Sequence, residues 1–146
     1  MVYTIDVIYI LELGIYTSCN DTTDGVSRLY SPYYPGHYYN NAHCTWEIIA
    51  NTGYNIRLQF EYFSTENNFD GLWIYDGPID DQVLRETLSG SHTNLLDIDS
   101  YSNRMFLNFT SDSYYNNYRG FAIHFLALDG KRCHGTIFDI FPYKVL

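Results

Sequence analysis

The stretch at residues 69–77, a short strand bracketed by carboxylates, constrains the fold of this chain more than any other. Within its sequence, FDGLWIYDG, the aliphatic residues Leu72 and Ile74 alternate with two aromatic residues. A period of two lets one pair face a core while the other faces a second layer or solvent. The glycine that closes the stretch and the proline after it end the strand, because glycine permits positive φ and proline cannot continue a central ladder. The stretch therefore predicts β-structure.

The loop before this strand is rich in side chains that carry oxygen. Asp70 lies at the entrance to the strand, and Glu66, Asn67 and Asn68 precede it. Hard cations bind to several carboxylate and carbonyl oxygens in flexible loops. The loop is therefore a candidate cation site.

Alternating runs of the same kind recur along the chain. Apolar and polar residues alternate at residues 56–62, 105–109 and 121–125, with turn-forming clusters between them. This pattern is typical of half-buried strands. No segment has a convincing helical repeat, although residues 80–88 are compatible with a turn or two of helix. The sequence thus predicts an all-β fold, a two-sheet antiparallel β-sandwich.

Length and charge limit the functional classes. A chain of 146 residues is long enough for one domain with a core and too short for two. Its 8 Lys+Arg against 17 Asp+Glu give a net charge of -9, which repels nucleic acid and anionic lipid. We therefore expect no nucleic-acid partner and no membrane insertion. The 16 tyrosines predict an aromatic surface suited to contacts.

Cysteines and glycosylation sequons indicate an oxidising, extracellular location. Cys19 and Cys44 enclose an irregular loop, and a bridge across these 25 positions would stabilise the fold by about 3.5 kcal/mol. Sequons begin at Asn20 and at Asn108, the latter on the polar side of its predicted strand. The alternative for each sequon is chance, since the tripeptide is common.

A series of motifs in a fixed order carries a resemblance to a known family. The motifs are SPYYP at 31–35, YNN at 39–41, CTWEI at 44–48, FSTE at 63–66, FD at 69–70, IYDG at 74–77, SN at 102–103, FTSD at 109–112 and YRGF at 118–121. Together they resemble the CUB domain, the extracellular β-sandwich module of complement proteases, tolloid-type proteases, cubilin and spermadhesins. The resemblance covers residues 19–128. It implies that Cys19 and Cys44 belong to an extracellular module.

The resemblance also implies a calcium site formed by Glu66, Asp70 and Asp112. In the family the ion orders the loops and positions these carboxylates to receive a lysine or arginine of a partner protein. The family's asparagine three residues after the last aspartate is Tyr115 here, a departure at the edge of the site. The alternative is that the three acids belong to a solvated acidic surface. The candidate aromatic rim of the site comprises Tyr33, Tyr34, Tyr114 and Tyr115.

The second disulfide found in many CUB domains is missing from this chain. Asn67 or Asn68 stands near its first cysteine, and Ser89 with Gly90 near its second. Because both partners are absent, no thiol is left stranded. We expect a lower stability than in a relative with two bridges.

Both ends of the chain resemble parts of further CUB domains. Residues 1–18 are either the last strand of a preceding CUB domain or a degenerate signal peptide, since acidic residues interrupt their apolar core and no Lys or Arg occurs among them. Residues 129–146 form a linker and the start of a following CUB domain, in which Cys133 opens a CHGT motif. In this hypothesis of a tandem array, the disulfide partner of Cys133 lies beyond Leu146. The alternatives are a free or an intermolecular thiol.

The sequence favours binding over catalysis. It contains no zinc-protease, serine-hydrolase or phosphate-loop motif, and its five histidines lack metal-ligand spacing. We expect a non-catalytic, calcium-dependent protein-binding module, secreted or at the cell surface, whose partner offers an exposed Lys or Arg. The alternatives are a carbohydrate-binding module of the spermadhesin kind, with tyrosines stacked on sugar rings, and a non-catalytic appendage of an extracellular protease.

Overall fold

The computed structural model describes residues 13–114 and 117–130. They form ten strands: β1 Leu13–Thr17, β2 Arg28–Tyr30, β3 His43–Ala50, β4 Tyr54–Ser64, β5 Gly71–Asp76, β6 Val83–Leu88, β7 Ser91–His92, β8 Ile98–Asp99, β9 Arg104–Thr110 and β10 Gly120–Asp129. Within these residues no helix is long and apolar enough to cross a membrane.

The strands form two antiparallel sheets. In sheet A the order is β1-β3-β9-β5-β6, and in sheet B it is β2-β10-β4-β7, with β8 paired to β4. Strands predicted from alternation at residues 56–62, 69–77, 105–109 and 121–125 correspond to β4, β5, β9 and β10. The predicted two-sheet β-sandwich is confirmed.

The core lies between the sheets and is rich in aromatic rings. Leu72 and Ile74 on β5 are fully buried, as their alternation predicts. Phe121, at the start of β10, contacts the rings of Trp46, Phe63 and Phe109 at centroid distances of 5.6, 5.8 and 5.2 Å. Aromatic pairs at such distances add about 0.5–1.5 kcal/mol each beyond the burial of their area. This cluster fixes the end of the sandwich where β10 begins.

The first strand and the disulfide close one edge of sheet A. β1 pairs with β3 from Leu13 opposite Ala50 to Thr17 opposite Trp46. Directly after β1, Cys19 is bonded to Cys44 on β3, with their Cα atoms 5.5 Å apart. Residues 1–12 and 131–146, including Cys133, lie outside the described residues, and they contain most of the two segments that the sequence assigns to neighbouring CUB domains.

The expectation of helical turns at residues 80–88 is wrong, because Val83–Leu88 form β6 at the edge of sheet A. The register with β5 shifts between Ile74 and Tyr75, which pair with Glu86 and Leu84. Arg85 is therefore the extra residue of a β-bulge, a feature that bends a strand and re-aims a side chain. Its guanidinium lies 4.1 Å from the ring centre of Tyr101 and donates to the Asp99 carbonyl. These contacts outweigh the weak helical propensity of the segment.

Asp76, at the end of β5, anchors a distant loop. Its carboxylate is buried and accepts hydrogen bonds from the backbone N–H groups of Tyr101 and Ser102 and from the Ser102 hydroxyl, the last at 2.5 Å. The second carboxylate of the 69–77 stretch therefore has a structural role. Of the two carboxylates in this stretch, Asp70 therefore stays the candidate metal ligand.

Candidate metal centre

Three carboxylates from two loops converge at one end of the sandwich. Glu66 and Asp70 belong to the loop between β4 and β5, and Asp112 follows β9. The antiparallel pairing of β5 with β9, in which Gly71 lies opposite Thr110, brings these loops together. One oxygen from each carboxylate lies within 4.8 Å of the others. The structure thus brings together all three residues of the predicted set.

Asp70 is the buried centre of this cluster. It is only 1% exposed, and its Oδ2 accepts a hydrogen bond of 2.6 Å from the Tyr38 hydroxyl. Its Oδ1 accepts from the backbone N–H of Asp112 at 2.7 Å. Tyr38 is itself fully buried, and its hydroxyl accepts from the backbone N–H of Glu66. Asp70 therefore joins both acidic loops to the core.

The loop of Asp112 is held by its main chain. The Asp112 carbonyl accepts from the backbone N–H of Asn41 at 2.7 Å, and its Oδ1 accepts from the backbone N–H of Tyr114 at 2.9 Å. Nearby, the Asn40 amide donates to the Ser113 carbonyl. The segment at residues 39–41, one of the motifs that carry the resemblance, thus supports the third carboxylate.

Ser89 fastens the loop of Glu66 at the place where many CUB domains have their second disulfide. Its hydroxyl donates toward the carbonyls of Asp70, at 2.7 Å, and Glu66, at 3.1 Å, and it accepts from the backbone N–H of Asn68. The side chain of Asn67 also lies against Gly90. Hydrogen bonds thus connect the segments that a bridge would join in those relatives.

The ionised form of Glu66 is disfavoured by its surroundings in the cluster. Its Oε2 is buried and has no hydrogen-bond partner. Desolvation by burial, followed by the charges of Asp112 and Asp70, raises the pKa of Glu66 above its ordinary value of 4.5. Burial, followed by the hydrogen bond to Asp70, likewise raises the pKa of Tyr38. Among the residues that the structure describes, no ion pair involves the three carboxylates.

These features fit a calcium ion. Calcium binds oxygen at about 2.3–2.6 Å, so two oxygens on opposite sides of one ion are about 5 Å apart. The 4.8 Å limit within the cluster agrees with that span. A partnerless buried carboxylate oxygen is costly unless a cation compensates it. The donor set is therefore suited to a hard divalent cation.

The four rim tyrosines have different surroundings. Tyr114, 69% exposed, lies next to Asp112 through the hydrogen bond of its N–H. Tyr33 contacts the ring of Tyr39, whereas Tyr34 stacks on Tyr30 at 5.7 Å and also contacts Tyr62. Tyr115 lies outside the described residues. Tyr114 is thus the rim residue whose position beside the carboxylates the structure describes.

The two sequons also differ in their surroundings. Asn20 is exposed in the loop after β1. Asn108 is half-buried in the middle of β9, opposite Thr45 on one side and Trp73 on the other, and its Oδ1 is buried without a partner.

Sequence reasoning missed two residues that build the site. Tyr38 stands directly before the motif at 39–41, yet nothing local distinguishes it from the fifteen other tyrosines, although among the described tyrosines it is the fully buried one. Ser89 is recognisable only as the residue at the place of a missing cysteine. Both act through contacts with Asp70, 32 and 19 residues away in sequence.

Comparison with known proteins identifies the family. The family model described as CUB domain matches residues 19–125. The chain belongs to the CUB family. Human tolloid-like protein 2 is 35% identical over 124 residues, 82% of this chain and 11% of that protein. Dog cubilin is 36% identical over 119 residues, 78% of this chain and 3% of that protein. The chain thus spans about a tenth or less of these CUB relatives.

Solved CUB structures agree with the fold. The CUB1-EGF-CUB2 domain of human MASP-1/3 matches with a TM-score of 0.63 at 26% identity, over 70% of this chain and 41% of that chain. The MASP-1 CUB2 domain, solved bound to Ca2+, matches with a TM-score of 0.60 at 24% identity, over 68% of this chain and 89% of that chain. CUB modules are generally non-catalytic interaction domains, and these relatives are extracellular or secreted proteins.

The raised pKa of Glu66 predicts that Glu66→Gln changes the Tm in opposite directions with and without calcium. The fold favours protonated Glu66, so this contribution to stability is complete below pH 4.5 and is lost as pH rises through the raised pKa. In chelator at neutral pH, Glu66→Gln should therefore give a small rise in Tm, because it removes a charge that the fold disfavours. In calcium the same variant should lose most of the metal-induced rise. Differential scanning fluorimetry in both buffers checks the two signs, and a lower Tm in chelator would contradict the first.

Proposed function

We propose that this chain is a calcium-dependent, non-catalytic protein-binding module of the extracellular space, which receives a lysine or arginine of its partner at the acidic loop edge. Glu66, Asp70 and Asp112 would hold the ion, and Tyr114 would border the site. Bound calcium supplies positive charge that lets three carboxylates remain ionised close together.

The observation that carries this proposal is the convergence of three carboxylates that no described cation neutralises. Three carboxylates and one divalent ion together leave one negative charge at the edge of the sandwich. Asp112 is only half-buried, and Oδ1 already accepts from the Tyr114 N–H. Its remaining acceptor capacity suits an ammonium or guanidinium group, with charge-assisted hydrogen bonds that weaken at high salt.

Binding of a defined cationic probe tests the proposal and separates it from simple surface acidity. We would immobilise a peptide whose single central lysine is its only charged group and measure capture of the chain in calcium and in chelator. If bulk acidity attracts the probe, calcium should weaken capture by neutralising charge. If calcium orders the carboxylates, chelator should weaken capture by about tenfold or more, the equivalent of about 1.4 kcal/mol.

Matched variants make the result specific. Acetylation of the probe lysine removes its charge and should abolish capture. Asp112→Asn should do the same, whereas Asp80→Asn, at an exposed acid of the turn before β6, should leave capture unchanged. Capture that is equal in calcium and chelator would contradict the proposal.

The chain covers only a small part of the length of the relatives it resembles. Because it covers 11% of tolloid-like protein 2 and 3% of cubilin, we propose that it acts as one binding unit within a longer chain. A protease appendage is one form of such an arrangement. An adjoining protease domain in the same polypeptide would identify that form.

A further inference from the structure

A groove beside the disulfide brings together exposed tyrosines and a glycosylation sequon. The groove is lined by residues 18–21 and by Pro32, Tyr33, Tyr34 and Tyr39, and its volume is about 490 Å³. Pockets that hold small molecules have volumes of roughly 300–1,000 Å³. Asn20, the exposed first residue of the Asn20-Asp21-Thr22 sequon, belongs to the groove lining.

We propose that the occupant of this groove is the chain's own N-linked glycan, attached at Asn20, with its first N-acetylglucosamine packed against Tyr33 and Tyr39. Asn20 is part of the groove lining, so a sugar attached to it cannot diffuse away from the groove. A short tether of this kind raises the effective concentration of an occupant to the millimolar range. A weak stacking contact is then sufficient to keep the groove filled.

Tyr33 and Tyr39 form a preorganised aromatic surface on which a sugar ring can stack. Tyr33 is 74% exposed and Tyr39 38% exposed, and their rings meet edge to face at 5.6 Å. Tyr33 has a φ of 60°, uncommon for a tyrosine, and its carbonyl accepts from the N–H of Gly36 at 2.7 Å. The loop thus holds an aromatic ring outward on a fixed backbone. An aromatic face with a polar tip suits the apolar face and hydroxyls of a sugar ring.

Asn20 fits this role better than Asn108 does. Asn20 is exposed in a loop, whereas Asn108 is half-buried in the middle strand of sheet A. The third sequon residue, Thr22, is fully buried, accepts from Trp46 Nε1 and donates to the Cys19 carbonyl at 2.8 Å. Replacement of Thr22 would therefore disturb the core, and the sequon is better removed at Asn20.

Stepwise removal of the glycan tests the proposal. The full chain carrying Asn108→Gln would be secreted behind a signal peptide from cells that make high-mannose glycans. Endoglycosidase H leaves one N-acetylglucosamine on Asn20. In a separate sample, peptide N-glycosidase F removes the whole intact glycan and leaves aspartate. We expect the intact and trimmed forms to share one Tm and the fully deglycosylated form to melt about 3 °C lower. Nitration of Tyr33 by tetranitromethane should be several-fold slower in the first two forms.

Variants identify the contact. Tyr33→Ala with Tyr39→Ala should abolish the Tm difference between trimmed and deglycosylated forms, and Tyr114→Ala should preserve it. Asn20→Asp should melt like the fully deglycosylated chain. An unmodified Asn20 by mass spectrometry, or a Tm difference that persists without the two tyrosines, would overturn the proposal. So would capture of free chitobiose or of a proline-rich peptide by the groove of the glycosylated chain, because the groove would then be open.

Discussion

Asp70→Ala is expected to lower the free energy of unfolding by about 3 kcal/mol and to abolish the proposed stabilisation by calcium. The buried carboxylate accepts from the Tyr38 hydroxyl and from the Asp112 N–H, and alanine leaves both donors unpaired. Hydrogen bonds to a charged group contribute about 1.5–3 kcal/mol each, and relief of repulsion with the neighbouring carboxylates offsets part of that loss. Urea unfolding with and without calcium measures both effects.

Asp70→Asn separates the structural role from the proposed metal role. An asparagine can accept from the Asp112 N–H and donate to the Tyr38 hydroxyl, so we expect it to cost only about 1 kcal/mol. It lacks the negative charge, and it should therefore lose the calcium response as completely as alanine does. The wild-type chain should gain about 2.7 kcal/mol at a calcium concentration about 100 times Kd.

Asp80→Asn is the matched control for this pair, since Asp80 is exposed on the turn before β6. It should change neither the stability nor the response to calcium. A calcium response retained in Asp70→Asn would contradict the assignment of Asp70 as a ligand, whereas an unchanged stability of Asp70→Ala would contradict its role as a buried connection.

Local pattern was sufficient for β4, β5, β9 and β10 and for the loop that carries Glu66 and Asp70. The alternation in β5 predicts which residues are buried because a period of two assigns each side chain to one face. The convergence of Glu66, Asp70 and Asp112 was predictable only through the resemblance, since the pairing of β5 with β9 is a property of the whole sheet. In neither case did composition help, because three acids among 17 are not distinctive.

What could not be predicted depends on contacts between distant segments. β6 is a strand because β5 offers it an edge and because Arg85 reaches Tyr101 and the Asp99 carbonyl, neither of which is local. Tyr38 enters the core while Tyr39 stays at the surface, a difference set by the path of the main chain beside Asp70 and Ser111. Propensity and pattern carry little information on such choices.

Gly120→Ala is expected to cost about 4 kcal/mol, more than the loss of the buried Asp70 carboxylate. Gly120 begins β10 with a φ of 80°, and an added Cβ would overlap the Ser31 side chain and lie 3.2 Å from the Tyr38 ring. Ser31 is fully buried, and its hydroxyl accepts from the Phe121 N–H and donates to the Arg119 carbonyl. Positive φ costs alanine about 1–2 kcal/mol, and the overlap adds about 1–3 kcal/mol.

Gly25→Ala isolates the backbone part of this cost, because Gly25 has a φ of 75° with nothing within 4 Å of an added Cβ. In urea unfolding, Gly25→Ala should lower the free energy of unfolding by about 1–2 kcal/mol. Ser31→Gly combined with Gly120→Ala should cost less than the sum of the two single replacements, since the overlap is then removed. Equal losses for Gly25→Ala and Gly120→Ala would contradict a steric role for Ser31. Because Tyr38 also borders Gly120 and holds Asp70, Gly120→Ala should weaken calcium binding as well, while Gly25→Ala should leave it unchanged.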